Sequence, residues 1–359
     1  MWTCYAASRG LGMTTRREFI AGSAASLLWA SHEWGQPLPA APTTRPNIGQ
    51  IDHDRILRIA AVPTLPLTVA GEYADLTRFH AFCSSVPALA AATVIDAANA
   101  ERYAGLAATL LQAWFVNQET RLPSEPSDKP YQRLIDLAPL GEMCVALPFL
   151  HLDEELVAAI KDWFAKYLTY LTENRNALLA RDAKDRNASS WLLQTTAAAK
   201  LTANEAILSD CRHRFKTSTI RAQINAEGLF PHELTTENPF RNSLFNLDLL
   251  GGTCQLLSTQ FESVWDHELP DGPGMRTAVA KHAYYMRDRV KWPYPADAAH
   301  FNLLPYRQPT LVFAGRAYGN AEYVTLWREL NPDPTSLEML EAFPIRQPVL
   351  WMPNRVKAS

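Results

Sequence analysis

Asp153-Glu154-Glu155-Leu156-Val157-Ala158-Ala159-Ile160-Lys161-Asp162-Trp163-Phe164-Ala165-Lys166-Tyr167-Leu168-Thr169-Tyr170-Leu171 sets the fold class. Leu156, Val157, Ile160, Trp163, Phe164, Tyr167, Leu168 and Leu171 recur at steps of three and four, which stacks them on one face of a helix. The three acids ahead of them suit a helix N-terminus, where the backbone dipole is positive. The spacing returns in Tyr103, Leu106, Ala107, Leu110, Leu111, Trp114 and Phe115, and again in Leu244, Leu247, Leu250, Cys254, Leu257 and Phe261. Strand-like alternation is nearly absent from Asp52 onward, so the chain reads as all-α.

Short breaks separate these runs: Pro123 to Pro130, Asn174 to Asn187, Gly228 to Pro239, Pro270 to Gly274 and Trp292 to Pro295. They fall every ~30–50 residues, the rhythm of helical hairpins. No sequence repeat accompanies them, which disfavours a solenoid of equal units but is compatible with a closed ring of helix pairs. We read one all-α domain over residues 50–355. Within it, Trp292-Pro293-Tyr294-Pro295 is a stiff turn, because each proline fixes its own φ and pushes the residue before it toward an extended conformation. Ala317-Tyr318-Gly319-Asn320-Ala321-Glu322-Tyr323 joins two apolar runs through a Gly-Asn pair that suits a helix C-cap.

With 359 residues, 47% of them hydrophobic, the chain can bury a large core. Lys+Arg of 34 against Asp+Glu of 37 gives a net charge of -3, which does not point to nucleic acid. Cys83, Cys144, Cys211 and Cys254 lie far apart in apolar runs with no Cys-x-x-Cys pair, so they read as buried thiols rather than as bridges or metal ligands. Residues 1–45 form a separate segment. Thr15-Arg16-Arg17-Glu18-Phe19-Ile20 runs into an apolar stretch from Ala21 to Ala30 that is too short to span a bilayer. Paired arginines ahead of such a stretch read as a twin-arginine signal, with Met13 as an alternative start. The expected partner is the twin-arginine (Tat) export machinery, and the expected location is the periplasm. Pro37 to Pro46 is then a proline-rich lead-in.

Function is carried by three polar stretches beside the helical runs: Asn187-Ala188-Ser189-Ser190-Trp191, Glu233-Leu234, and Asn242-Ser243-Leu244-Phe245-Asn246-Leu247. With Gln112-Ala113-Trp114-Phe115, Trp163-Phe164 and the two later turns, they resemble the alginate-lyase-like polysaccharide lyases over some 250 residues, in order. The resemblance implies an (α/α) toroid, an incomplete barrel of antiparallel helix hairpins, whose groove holds an acidic oligo- or polysaccharide. Family members carry a segment like Asn-Asn-His-Gly-Thr-Trp, then Glu-Leu-Ala-Arg-Thr, then Tyr-Ser-x-Phe-Asn-Leu. Their Asn and Arg neutralise a uronate carboxylate, their His removes the adjacent proton, and their Tyr protonates the departing oxygen.

Here Asn187 is kept, while Ala188, Thr236 and Asn242 stand at the His, Arg and Tyr positions. Alanine can neither take nor give a proton, so that mechanism does not run unchanged. Neighbouring residues supply replacements. Arg241 offers a cation to a carboxylate, and His232 is the nearest imidazole. The expected catalytic residues are therefore Asn187, His232 and Arg241, and the expected substrate contacts are Ser190, Trp191, Asn242 and Tyr294. Each has a structural alternative: Asn187 as a helix cap, Trp191 and Phe245 as core, Glu233 and Asn246 as loop anchors, and His232 and Arg241 as surface groups. The chain has no His-Glu-x-x-His, Gly-x-Ser-x-Gly, phosphate-binding glycine loop or cofactor fingerprint, so neither metal nor cofactor is expected. A catalytically silent glycan-binding toroid and a toroid glycoside hydrolase remain as alternatives to elimination.

Overall fold

The periodic runs form helices in the computed structural model, which describes residues 76–126, 132–331 and 343–352. In chain order these are α1 (Leu76–Ile95), α2 (Ala100–Leu111), α3 (Gln132–Asp136), α4 (Leu140–Ala146), α5 (Glu154–Glu173), α6 (Arg175–Arg181), α7 (Arg186–Leu201), α8 (Glu205–Arg214), α9 (Ile220–Gln223), α10 (Pro239–Leu257), α11 (Met275–Arg287), α12 (Pro309–Ala317) and α13 (Ala321–Glu329). Among the described residues the only β contacts are two isolated bridges, Glu268 with Gly274 and Tyr306 with Asn331. The signal-like segment 1–45 lies outside the described residues.

Two kinds of helix alternate. α1, α4, α7, α10 and α12 are covered nearly all round. α2, α5, α8, α11 and α13 bury one face and turn a charged face outward. A helix apolar or small on every side must be enclosed, whereas an amphipathic one covers it. α1 is long and apolar enough to cross a bilayer, yet most of it is buried inside the protein, as a core helix is.

Side-chain bonds fix the directions. Trp191 Nε1 donates to the Leu171 carbonyl (2.7 Å) and Tyr167 Oη to Gln194 Oε1 (2.7 Å). As the residue number rises on α7 it falls on α5, so the pair is antiparallel. Tyr103 Oη on Asp96 and Trp114 stacked on Phe82 at 4.5 Å show the same for α1 and α2. Between enclosed helices the rule reverses. His80 Nε2 with the Asp136 carbonyl, Thr93 Oγ1 with Phe149, Ser190 Oγ with Leu134 and Lys200 Nζ with Leu256 each join residues 56 apart. Numbers that rise together mean parallel neighbours, and α10 and α12 meet in the same sense at offsets of 62 and 63, Asp248 and Leu247 with Thr310. Parallel inner helices, each returned by an antiparallel outer one, make the (α/α) toroid of helix hairpins. The repeat lies in backbone register rather than in side chains, which is why the sequence does not display it.

Residues 343–352 close the inside of this ring. Glu142 on α4 accepts from the backbone amides of Arg346 and Gln347 and from Trp351 Nε1, while Arg346 Nη1 donates to the His80 carbonyl on α1. Gln255 Nε2 on α10 donates to the Trp351 carbonyl, and the Trp351 ring lies 6.1 Å from that of Phe313 on α12. The segment thus ties four inner helices together. Gly252 lets the segment lie close, since a Cβ there would fall 2.5 Å from the Ile345 Cδ1 methyl, which would have to shift.

The expected acidic start of α5 is present: Asp153 caps it by accepting from Leu156 N (2.8 Å). Gly319 has φ +65 and follows α12, as a C-cap glycine does. Cys83, Cys144, Cys211 and Cys254 are free and buried. Two expectations are corrected. Phe261 is not on the α10 face: the helix ends at Leu257, the backbone extends at Ser258, and Phe261 is 83% exposed. The break from Asn174 to Asn187 contains α6, started by Asn174, whose side chain accepts from Asn176 N.

Asp248 on α10 accepts from Thr310 N (3.1 Å) and so docks α12. Burial pushes its carboxyl up to about 7, and the bonds from Thr310 hold it down only in part. The folded state therefore keeps a proton that the unfolded state has lost, and this contribution to stability shrinks as pH rises from about 4 to 7. Unfolding free energy measured by urea titration should gain up to about 1.4 kcal/mol per pH unit in Asp248→Asn relative to the unaltered protein across that window. Identical pH slopes for the two proteins would remove the role given to Asp248.

Candidate functional site

Because the inner helices are parallel, their N-termini share one end of the ring. α7 starts at Asp185, whose Oδ1 accepts from Asn187 N (2.9 Å). Asp185 is thus the cap, and Asn187 lies within the first turn, which corrects its reading as a cap. The Asn187 side chain turns back on the cap, with Nδ2 donating to both Asp185 oxygens (2.9 and 3.1 Å), while its Oδ1 is buried with no hydrogen bond.

The residue between them fastens the next loop. Arg186 donates to Glu233 from its backbone N to Oε1 (2.7 Å) and from Nη1 to Oε2 (2.6 Å). Glu233 is fully buried in a short 3-10 turn, Glu233–Thr235. Burial raises its pKa, and the Arg186 charge and hydrogen bonds oppose the rise. From this turn Thr236 Oγ1 donates to the Glu233 carbonyl (2.7 Å) and receives Asn242 Nδ2 (2.9 Å). A continuous hydrogen-bonded chain therefore runs from the first turn of α7 to the first turn of α10.

α10 opens on Pro239, which lacks the N–H that a helix start leaves unpaired. Its next two amides, of Phe240 and Arg241, donate to the Asp297 carboxylate (2.8 and 3.0 Å), so the helix is capped from a distant loop. That loop carries the Trp-Pro-Tyr-Pro turn. Trp292 packs on Phe240 with ring centroids 4.9 Å apart, and Tyr294 sits edge-on to Trp292 at 5.1 Å. Deeper in, Gln223 bridges the two helices, donating to Ser189 Oγ and accepting from Asn246 Nδ2, both at 2.7 Å. This sets the level of Asn187 beside the first turns of α10.

Asn187, Arg241, Asn242, the His232–Glu233 loop and the turn bearing Tyr294 are thus gathered at one end of the ring. His232 is exposed just ahead of the 3-10 turn, while Arg241, Asn242 and Tyr294 are half-buried. Ser190 and Trp191 are not part of that surface, which corrects their assignment as substrate contacts. Ser190 has no accessible surface and donates to the Leu134 carbonyl; Trp191 is 5% exposed and donates to the Leu171 carbonyl. Both point from α7 into neighbouring helices of the wall. Phe245 and Asn246 are likewise buried.

The residues that hold the site together include Asp185, Arg186, Gln223 and Asp297, none of which stood out in the sequence. Asp185 alone left a local signal, an acid directly before a helical run. The other three act across large sequence separations, where no spacing rule applies. Among the described residues, no three of His, Cys, Asp or Glu gather as a metal site would require. Electrostatically, carboxylates of the chain already meet the positive groups here: Glu233 pairs with Arg186, Asp185 holds both amides of Asn187, and Asp297 takes the first amides of α10, with the half-buried Arg241 beside them.

A sequence model of the alginate lyase family matches residues 64–292. No curated protein matches the chain. Among solved structures, an alginate lyase from Bacteroides ovatus superposes with a TM-score of 0.67 at 19% identity, covering 77% of this chain and 75% of that one. Alginate lyase A1-III from Sphingomonas species A1 superposes with a TM-score of 0.54 at 12% identity, covering 70% of this chain and 71% of that one. At such identities the structural likeness speaks for the helical fold, and the sequence model for descent. The chain belongs to the alginate lyase family.

Proposed function

We propose that this protein acts on an acidic, uronate-containing glycan by β-elimination, at the end of the ring where α7 and α10 begin. The observation that carries this reading is that Asn187, on the first turn of α7, and Arg241, on the first turn of α10, stand at the same end of the ring. An amide and a guanidinium on fixed elements suit a carboxylate, while the backbone amides of both helix starts stay with Asp185 and Asp297. In the proposed step Asn187 and Arg241 neutralise the C5 carboxylate, His232 takes the C5 proton, and the C5–H electron pair forms the C4–C5 double bond as the C4–O4 bond breaks. The departing O4 takes a proton from solvent or from a neighbouring phenol. The Asn187 amide must exchange Asp185 for the sugar carboxylate on binding. Export through the twin-arginine route to the periplasm, where such polymers are met, belongs to the same proposal and rests on residues 15–30.

A silent glycan-binding toroid is the second reading, favoured by Ala188 at the family's base position and by the hold of Asp185 on Asn187. Incubating the mature protein with uronate polymers and following the absorbance of the new double bond separates the two. Release of reducing ends without that absorbance would mean hydrolysis, and binding without either signal would leave the silent toroid. Arg241→Ala should weaken binding of a uronate oligosaccharide about 10- to 100-fold in calorimetry, the range of a lost charge-assisted hydrogen bond. Neutral oligosaccharides should be bound as before. Equal losses for both would take Arg241 out of the site.

A further inference from the structure

The outer helix α11 and the turn that follows it border a shallow surface hollow of about 600 Å³, open to solvent and lined by Lys281, Tyr284, Tyr285, Lys291, Pro293 and Glu227 among others. Two ammonium groups stand over two tyrosine rings: Lys291 Nζ is 5.0 Å from the centre of Tyr284, and Lys281 Nζ is 5.7 Å from that of Tyr285. Tyr284 is 52% exposed, so part of its ring is open to solvent beside the Lys291 ammonium, and Val290 next to Lys291 is 91% exposed. Tyr285 is buried edge-on against Trp292 at 5.1 Å, which fixes the floor. Pro293 belongs to the same turn as Tyr294, so the hollow backs directly onto the loop that caps α10.

Two acids border it. Glu227 accepts from Asn225 Nδ2 at 3.1 Å, and Asp288 lies 3.4 Å from Lys291 Nζ with both side chains about half exposed. An exposed pair of that kind is weak and exchanges readily for another anion. A tyrosine face for the apolar side of a pyranose ring, with an ammonium beside it for a ring carboxylate, matches a chain of acidic sugars.

We infer that this hollow is an outer binding site for an acidic glycan chain, separate from the opening at α7 and α10. It rests on the glycan reading above only for the class of ligand. By holding a distant stretch of polymer it raises the effective concentration of the rest of the chain at the ring opening.

The test uses the full-length chain, a hexasaccharide of 1,4-linked mannuronate as probe and cellohexaose as the neutral control. Lysine acetylation read by peptide mass spectrometry should show Lys281 and Lys291 protected by the uronate probe and not by the control. That protection should persist in Arg241→Ala. The double variant Lys281→Ala/Lys291→Ala should lose about tenfold in affinity for long uronate chains while binding of a diuronate at the ring opening is unchanged. Tyr284→Ala should weaken the same long-chain binding with the lysines intact. Unprotected lysines, or protection abolished by Arg241→Ala, overturn the separate site. Unprotected lysines with binding still weakened by Arg241→Ala would leave the ring opening as the only glycan site. Protection that persists while Arg241→Ala binds normally would leave the hollow standing without the proposed centre.

Discussion

Glu142→Ala should lower the unfolding free energy by about 3–5 kcal/mol, the result of leaving several buried donors unsatisfied at about 1–3 kcal/mol each. The side chain has no accessible surface and accepts from two backbone amides and the Trp351 indole. Burial raises its pKa, and the bonds from Gln347, Arg346 and Trp351, with the Arg346 charge, bring it back only partly. Without the carboxylate, those donors are left unsatisfied in the middle of the ring, and residues 343–352 lose their attachment to α4. A drop in the urea midpoint and faster hydrogen exchange at Arg346 and Gln347 would show both effects. Glu142→Gln should cost less, because its amide oxygen still accepts while its NH2 meets donors. An alanine variant with an unchanged midpoint would mean that the segment is held by the packing of Ile345 and Trp351 and by the Arg346 and Gln255 bonds without help from Glu142.

Installing the three residues that the family resemblance implies should raise elimination about 10²- to 10⁴-fold, the range supplied by a positioned acid or base. The triple variant Ala188→His, Thr236→Arg, Asn242→Tyr places an imidazole next to Asn187, a cation in the Glu233 turn and a phenol on the first turn of α10. The register makes this reasonable, since the Gln223 bridge between Ser189 and Asn246 keeps the first turns of α7 and α10 level. Room is tighter at Ala188, which is buried, so retention of the fold is checked by circular dichroism and the thermal midpoint. The rate is read from the absorbance of the unsaturated product. A folded triple variant that binds uronate chains but gains no rate would show that more than these three side chains separates this protein from its relatives, with Asp185 on Asn187 as the next group to alter.

Ser190 and Asn242 show how far a helix-start motif carries. Both were expected to touch substrate, because both belong to family segments at helix starts. Asn242 is in the first turn of α10 and reaches the Thr236 loop. Ser190, one turn into α7, is already between helices, with its hydroxyl on Leu134. Three or four residues return a side chain to the same helix face but carry it about 5 Å further along the axis, where neighbouring helices cover it, and a motif does not say how deep that cover begins. The same advance along α7 puts Trp191 against Leu171.

What the sequence determined by itself is the class of the fold and its family: apolar residues at helical spacing can only be buried as helices, and the polar stretches name the relatives that share them. The parallel stacking of the inner helices, the capping of α10 by Asp297, the burial of Glu233 on Arg186 and the anchoring of residues 343–352 by Glu142 were decided by tertiary structure alone. Each joins groups that lie far apart along the chain. A buried carboxylate or amide takes whichever partner packing brings within 3 Å or so, and only the folded ring sets which one that is.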